Sequence, residues 1–326
     1  MEMTTSLHPH PARAPLLRHT LSALLLLGLG ILALAGCAGS STTSGPETPQ
    51  FTKDADGVAI TIPSKAPQRI VSLGAVDSEI LAALNVTSRV IAVDYYTDYP
   101  AAMVAKPKIS DANATYNVEA IVADQPDLVL SFGAETAQVD QKLRAAHLTV
   151  VDLPATDLSG SLKEMLLIGQ LTHAESAANT LVNSLQQRIN AVKQKVAGTT
   201  PVSVYMEVGY TPPPPFAFGG GSFGNDILTD AGGANIFASN TTNSGYPQVS
   251  DESIIAANPQ VILLTEDPRY GGNPALVAQR PGWSGIAAVK NNRVYQINSD
   301  WVQRPGPRMV LALEEIAKLL HPDRFA

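Results

Sequence analysis

From Arg69 onward, short apolar runs alternate with stretches whose apolar residues recur at helical spacing. Ile70–Leu73 is an apolar run broken only by Ser72, the pattern of a strand buried on both faces. Asp77–Leu84 predicts a helix, Arg89–Val93 a second strand, Val118–Ala123 a helix and Leu128–Leu130 a third strand. A helix over about 135–146 precedes a strand at Thr149–Val151. Strands alternating with helices predict βαβ units around a mainly parallel sheet. The alternation restarts at Val202–Met206. Helices at Asp226–Ala231 and Glu252–Ala257, strands at Val261–Leu264 and Val294–Ile297, and a helix at Arg308–Leu320 follow.

One stretch of each half matches position for position. Glu119, Ile121, Ala123, Pro126 and Leu130 have the same spacing as Glu252, Ile254, Ala256, Pro259 and Leu263. Both stretches read as an acid in the first helical turn, a short apolar helix, a proline turn and a buried strand. A weaker match sets Glu79-Ile80-Leu81 beside Asp226-Ile227-Leu228. Shared spacing of this kind favours two similar lobes. Between them, Ala178, Leu181, Leu185, Ile189, Val192 and Val196 step by three or four, so one helical face is buried. A helix over 174–196 would be about 35 Å long and would act as a stiff link. The expected fold is therefore α/β, with two Rossmann-like α/β lobes joined by a single long α-helix and a ligand cleft between them. The expected boundaries are 53–158 for the N-terminal lobe, 159–198 for the linking segment and 199–326 for the C-terminal lobe.

The N-terminus follows a different pattern. Arg13 and Arg18 precede an uncharged run from Leu21 to Ala35, shorter than the ~20 residues that span a bilayer as a helix. A basic region, a short apolar run and small residues near a cut site make a secretory signal. The run ends Leu34-Ala35-Gly36-Cys37, which resembles a bacterial lipoprotein cleavage box. That resemblance implies a signal peptide over 1–36 and lipidation of Cys37. The alternative is a short membrane anchor with an incidental cysteine. Residues 37–52 are mostly small and polar, as in a flexible tether.

Composition narrows the function. The 326 residues carry 22 Lys+Arg against 29 Asp+Glu, a net charge of -7, with no basic run of the kind that tracks nucleic acid. Cys37 is the one cysteine, which excludes an intrachain disulfide and a multi-thiolate metal site. The histidines outside the signal, His147, His173 and His321, lack metal-ligand spacing, which argues against a zinc or manganese binder. Gly220-Gly221-Ser222-Phe223-Gly224 fits the letters Gly-x-Ser-x-Gly, but it lies in a glycine run that reads as a turn, and no phosphate loop is present. Neither catalytic residues nor a metal site nor a cofactor is expected, although an envelope enzyme using the cleft stays open as an alternative.

Ligands of open α/β sheets bind beyond the carboxyl ends of the strands. Aromatic residues concentrate in the corresponding loops, at Tyr95–Pro100, Tyr210–Phe218, Tyr246-Pro247 and Asp300–Pro305. Four such loops over both halves suit a large, mostly apolar ligand with a few polar anchors. Trp301, flanked by Asp300 and Arg304, is the strongest single candidate. Glu119 and Glu252 have a plain explanation as acids favoured at helix N-termini.

These residues together suggest a family. Arg69–Leu73, Ser78–Leu81, Tyr96–Pro100 and Val118–Leu130 resemble the substrate-binding proteins of iron-siderophore, haem and cobalamin ABC importers. In the second half, Pro215-Phe216, Gly232–Phe237, Tyr246–Ser250 and Ser299–Arg304 look most like the cobalamin-binding members. The resemblance covers about 67–321. It implies a monomeric, extracytoplasmic, lipid-anchored binding protein that captures cobalamin or a related corrinoid and does no chemistry. A ferric siderophore or haem is the alternative ligand. It implies ligand contacts from Tyr96, Phe216, Tyr246, Asp300, Trp301, Val302, Gln303 and Arg304. It also implies that Glu119 and Glu252 dock on the two subunits of an ABC permease dimer with its ATPases. Tyr246 and the Asp111–Tyr116 loop depart from the cobalamin-binding pattern, since each lacks the tryptophan found there.

Overall fold

A computed structural model of the chain describes residues 51–133, 136–153, 157–210, 214–268 and 271–326. The signal, Cys37 and nearly all of the expected tether lie outside the described residues.

The N-terminal lobe runs β1 (Ile70–Ser72), α1 (Ala75–Ala83), β2 (Val90–Val93), α2 (Ala101–Val104), α3 (Val118–Ala123), β3 (Leu128–Ser131), α4 (Ala137–Ala145) and β4 (Val150–Asp152). Its sheet has the order β2-β1-β3-β4, and every pairing is parallel. β1, β3 and β4 are buried along their whole length because helices cover both faces, which is why they read as unbroken apolar runs.

Two helices follow, α5 (Leu158–Leu171) and α6 (Glu175–Val196). The Asp157 side chain accepts from the Gly160 N–H and caps α5. Between the helices, His173 takes a left-handed backbone (φ 53°), and its ring nitrogen Nε2 hydrogen-bonds the Pro63 carbonyl at 2.7 Å. The helices pack tightly where Gly169 meets Ala178: a Cβ on Gly169 would fall 2.4 Å from that of Ala178. The expected linking segment is thus a helix pair, of which α6, about 33 Å long, is the long member.

The C-terminal lobe runs β5 (Val202–Gly209), β6 (Phe216–Ala217), α7 (Phe223–Asp230), β7 (Gly233–Asn235), α8 (Thr242–Gly245), α9 (Asp251–Ala257), β8 (Val261–Leu264), α10 (Pro274–Val277), α11 (Ala287–Lys290), β9 (Val294–Gln296), α12 (Ser299–Gln303) and α13 (Met309–Leu320). β8 pairs with one edge of β5, and β9 pairs with β8, all in parallel. The other edge of β5 is shared: β7 runs parallel to Val202–Val204, and β6 runs antiparallel to Glu207–Gly209.

The internal repeat is visible in the topology. β1 and β5 are first strands, each flanked by a parallel second strand (β2, β7) and on the opposite edge by β3 or β8. α3 and α9 precede β3 and β8, and Ile121 and Ile254 are both fully buried. Ile80-Leu81 on α1 and Ile227-Leu228 on α7 are likewise buried at matching places.

A single apolar core runs from β1 and α1 through α5 and α6 into β5, α7 and α13. Smaller clusters lie on the far face of each sheet. The lobes therefore share buried surface along the whole helical side and are not two bodies on a tether.

Candidate functional site

The carboxyl ends of β1, β2 and β3 open onto a cavity of about 170 Å³. Leu73, Gly74, Val76, Asp94, Tyr96, Tyr116, Phe132 and Thr136 line it from the N-terminal lobe, and Gln303 and Arg304 from the C-terminal lobe. The local chemistry explains the shape. Gly74 is required because a Cβ there would lie 2.7 Å from Asp77 Oδ2 beneath it. The Asp94 carboxylate accepts from the Tyr96 N–H at 2.8 Å and from the Thr97 hydroxyl, which folds the β2 loop back on itself. The Tyr96 hydroxyl donates to the Ala112 carbonyl at 2.6 Å, and the Tyr116 hydroxyl to the Leu73 carbonyl at 2.6 Å. On the opposite wall, Gln303 Nε2 donates to the Thr265 carbonyl at 3.2 Å.

Burial governs the acids beneath this surface. Asp77 is fully buried, and its two oxygens find no hydrogen-bond partner among the described residues. Burial, then the facing carboxylates of Glu164, Asp94, Asp152 and Asp140, push its pKa well above the usual carboxylate range. Burial also raises Asp94, against the hydrogen bonds from Thr97 and Tyr96. On the far side of the sheet end, Asp56, Asp140 and Asp152 bring one oxygen each within 4.8 Å of one another, while Arg144 pairs with Asp54 and Asp56.

The two lobes meet at the cavity's end through an ionic cluster. Arg308 grips Glu79 of α1 with two hydrogen bonds, at 2.8 and 2.5 Å. Arg304 grips Asp98 of the β2 loop at 2.6 and 3.1 Å and reaches the Tyr96 carbonyl at 3.4 Å. Asp300 lies 3.2 Å from Arg304 and 3.5 Å from Arg308. The Arg308 guanidinium also sits 4.5 Å above the Tyr99 ring. Burial raises Asp98, but the hydrogen bond and charge of Arg304 outweigh it and leave its pKa below the ordinary value.

The sequence-expected contact residues divide. Tyr96, Gln303 and Arg304 line the cavity, and Asp300 holds the two arginines. The expected loop 300–304 is mostly α12, whose first turn is capped by the Asn298 side chain. Val302 is fully buried in the main core, so here it supports the turn rather than facing the cleft. Trp301 is half-buried against the same core. Tyr246 packs on Phe218 with ring centres 5.5 Å apart, and Phe216 is an exposed strand residue paired with Gly209. Tyr210 turns into its own lobe, against Arg280 and Asp251. The aromatic loops thus contribute less to the cavity than their composition suggested. Phe132 and Thr136, directly after β3, were missed; their place after a strand end was the available signal.

Glu119 and Glu252 occupy the same place on the two lobes. Each is exposed, at the second position of a short helix whose preceding residue caps it: Asn117 accepts from the Ala120 N–H at 2.9 Å, and Ser250 from the Ser253 N–H at 3.2 Å. Hydrogen bonding to its own N–H and to Ser250 lowers the Glu252 pKa.

Comparison with known proteins agrees with this architecture. The family model described as "Periplasmic binding protein" matches residues 70–301. The chain is 32% identical over 311 residues to an uncharacterized ABC transporter substrate-binding lipoprotein, YvrC, of Bacillus subtilis, covering 91% of this chain and 96% of the relative. It is 26% identical over 254 residues to the vitamin B12-binding protein of Vibrio cholerae, covering 78% and 89%. The crystal structure of the periplasmic vitamin B12-binding protein BtuF of Vibrio cholerae superposes with a TM-score of 0.67 at 25% identity, covering 80% of this chain and 99% of that one. The chain belongs to the periplasmic binding protein family, as the substrate-binding component of an ABC importer of the vitamin B12, haem and siderophore kind.

Proposed function

We propose that this protein captures cobalamin or a related corrinoid between its lobes, is held outside the cytoplasm by lipid on Cys37, and delivers its ligand by docking Glu119 and Glu252 on the two permease subunits. The ligand assignment is supported by the relatives named for vitamin B12. The docking assignment is carried by the equivalent, capped and exposed placement of the two glutamates, one acid on each lobe for each of two like subunits. The role is binding rather than catalysis, in keeping with the relatives being binding proteins. Among the described residues no helix is long and apolar enough to cross a membrane.

A cavity of about 170 Å³ is smaller than the ~300–1,000 Å³ of sites that enclose their ligands. A corrinoid would enter by one edge and keep much of its surface at the mouth, unless the lobes part. The alternative ligand, haem, would bring its carboxylates to Arg304, whose terminal nitrogens Asp98 already holds.

Calorimetry with cobalamin and uptake of labelled cobalamin in cells test the proposal together. Glu119→Arg with Glu252→Arg is expected to retain binding and abolish uptake. Unchanged uptake would remove the docking role, and no heat with cobalamin would remove the corrinoid.

A further inference from the structure

We infer that the cleft selects a ligand with no net negative charge, because the arginine at its wall, Arg304, is already neutralised from within. The inference rests on the reading that the cleft takes a large macrocyclic or chelate ligand, and it narrows the class.

The charges around the cavity can be followed group by group. Arg304 lines the wall, but Asp98 takes both of its terminal nitrogens, and the Tyr96 carbonyl and Asp300 share Nη2. Glu79 lies a further 3.6 Å from Nη1. Arg308 is turned away from the cavity onto Glu79 and Tyr99. Lys108 lies near Asp94 and donates to the Thr97 carbonyl at 2.8 Å. Among the described residues, three cations (Lys108, Arg304, Arg308) thus face four carboxylates (Glu79, Asp94, Asp98, Asp300). The depressed pKa of Asp98 keeps it ionised at neutral pH.

An anionic ligand arriving here finds both terminal nitrogens of Arg304 already held. To bind Arg304 it must displace Asp98, whose carboxylate then faces the newcomer without its partner. Asp98 is itself exposed, so water offsets part of that loss, and the remaining penalty is the repulsion between its freed carboxylate and the arriving anion. A neutral or cationic ligand leaves the cluster whole and meets a wall with a slight negative excess. Asp98 and Asp300 are therefore the specificity-determining residues.

The test is a tryptophan-fluorescence titration of the full chain in detergent at neutral pH. The probes are aquocobalamin, a cationic ferric trihydroxamate, haem with its propionates, and a polyanionic ferric tris-catecholate. The wild type is expected to bind at least one of the first two about tenfold or more tighter than either anion. Asp98→Asn with Asp300→Asn is expected to gain about tenfold or more in haem affinity without a gain for aquocobalamin. A merely structural role would weaken all ligands together. An unchanged urea transition checks the fold, and Asp98→Asn alone, at an exposed position, provides a milder second variant. Wild-type binding of haem or the catecholate as tight as that of the two cationic probes would overturn the inference, as would folded variants with no gain for haem. Trihydroxamate binding without aquocobalamin binding would remove the corrinoid reading and leave the charge rule standing.

Discussion

Replacing Arg280 with methionine should be among the most damaging single changes in the C-terminal lobe. Arg280 holds Glu207 through two hydrogen bonds, at 2.6 and 2.9 Å, and Glu207 is fully buried. The guanidinium lies 3.7 Å from the Tyr210 ring centre and 4.6 Å from that of Trp283. Removing one partner of a buried ion pair costs about 3–5 kcal/mol, because the other charge stays buried without compensation. The lost stacking adds up to about 2 kcal/mol. Burial already raises the Glu207 pKa against the opposing pull of Arg280, so without Arg280 the carboxyl can take up a proton. The loss should then shrink between pH 8 and pH 5, and Glu207→Gln combined with Arg280→Met should recover most of it. Urea unfolding is the suitable assay, since guanidinium salt would screen the pair. Trp283, one of two tryptophans, reports from the stack itself. A cost below about 1 kcal/mol, or a double variant as unstable as the single one at pH 8, would refute the reasoning.

Two further outcomes follow from buried contacts. Asp140 is raised from 3.8 to about 6, first by burial, against the hydrogen bond from Ser131 and with the facing Asp152 raising it further. The folded chain holds this proton more tightly than the unfolded one, so the stability it contributes is present below pH 4 and is lost as pH rises to about 6. Asp140→Asn should therefore stabilise by about 1–3 kcal/mol above pH 7 and by nothing below pH 4, discounted for screening; a pH-independent effect in urea melts would count against this. Gly169→Ala should destabilise by about 1–3 kcal/mol despite the ~1 kcal/mol gain in helix propensity, because α6 must move away from the added methyl. A raised melting temperature would show that the helices separate without cost.

Local periodicity made the strands and most helices legible. β8 spans the expected residues, and β1, β2, β3, β4 and β9 agree to within a residue or so at either end. α3 matches its expected span, Val118–Ala123. α6 matches the helix expected over 174–196 to within a residue, whereas α5 was not legible as a separate helix, since the chain turns at His173 with no glycine or proline to mark its end. β6 and β7 are too short to show a period and take their place only by pairing with β5. The repeat of Glu119 and Glu252 was visible because it lies within short matched stretches. The Glu79–Arg308 and Asp98–Arg304 pairs were not, because their partners are 229 and 206 residues apart and only the assembled lobes bring them together.

The capped helices that carry Glu119 and Glu252 turn the molecule into a caliper. Each carboxylate is tied to its own sheet by a rigid turn and strand, so the distance between them is set by the angle between the lobes. A rotation of one lobe against the other therefore changes that distance. A pair of spin labels there would measure that angle directly, as a single distance.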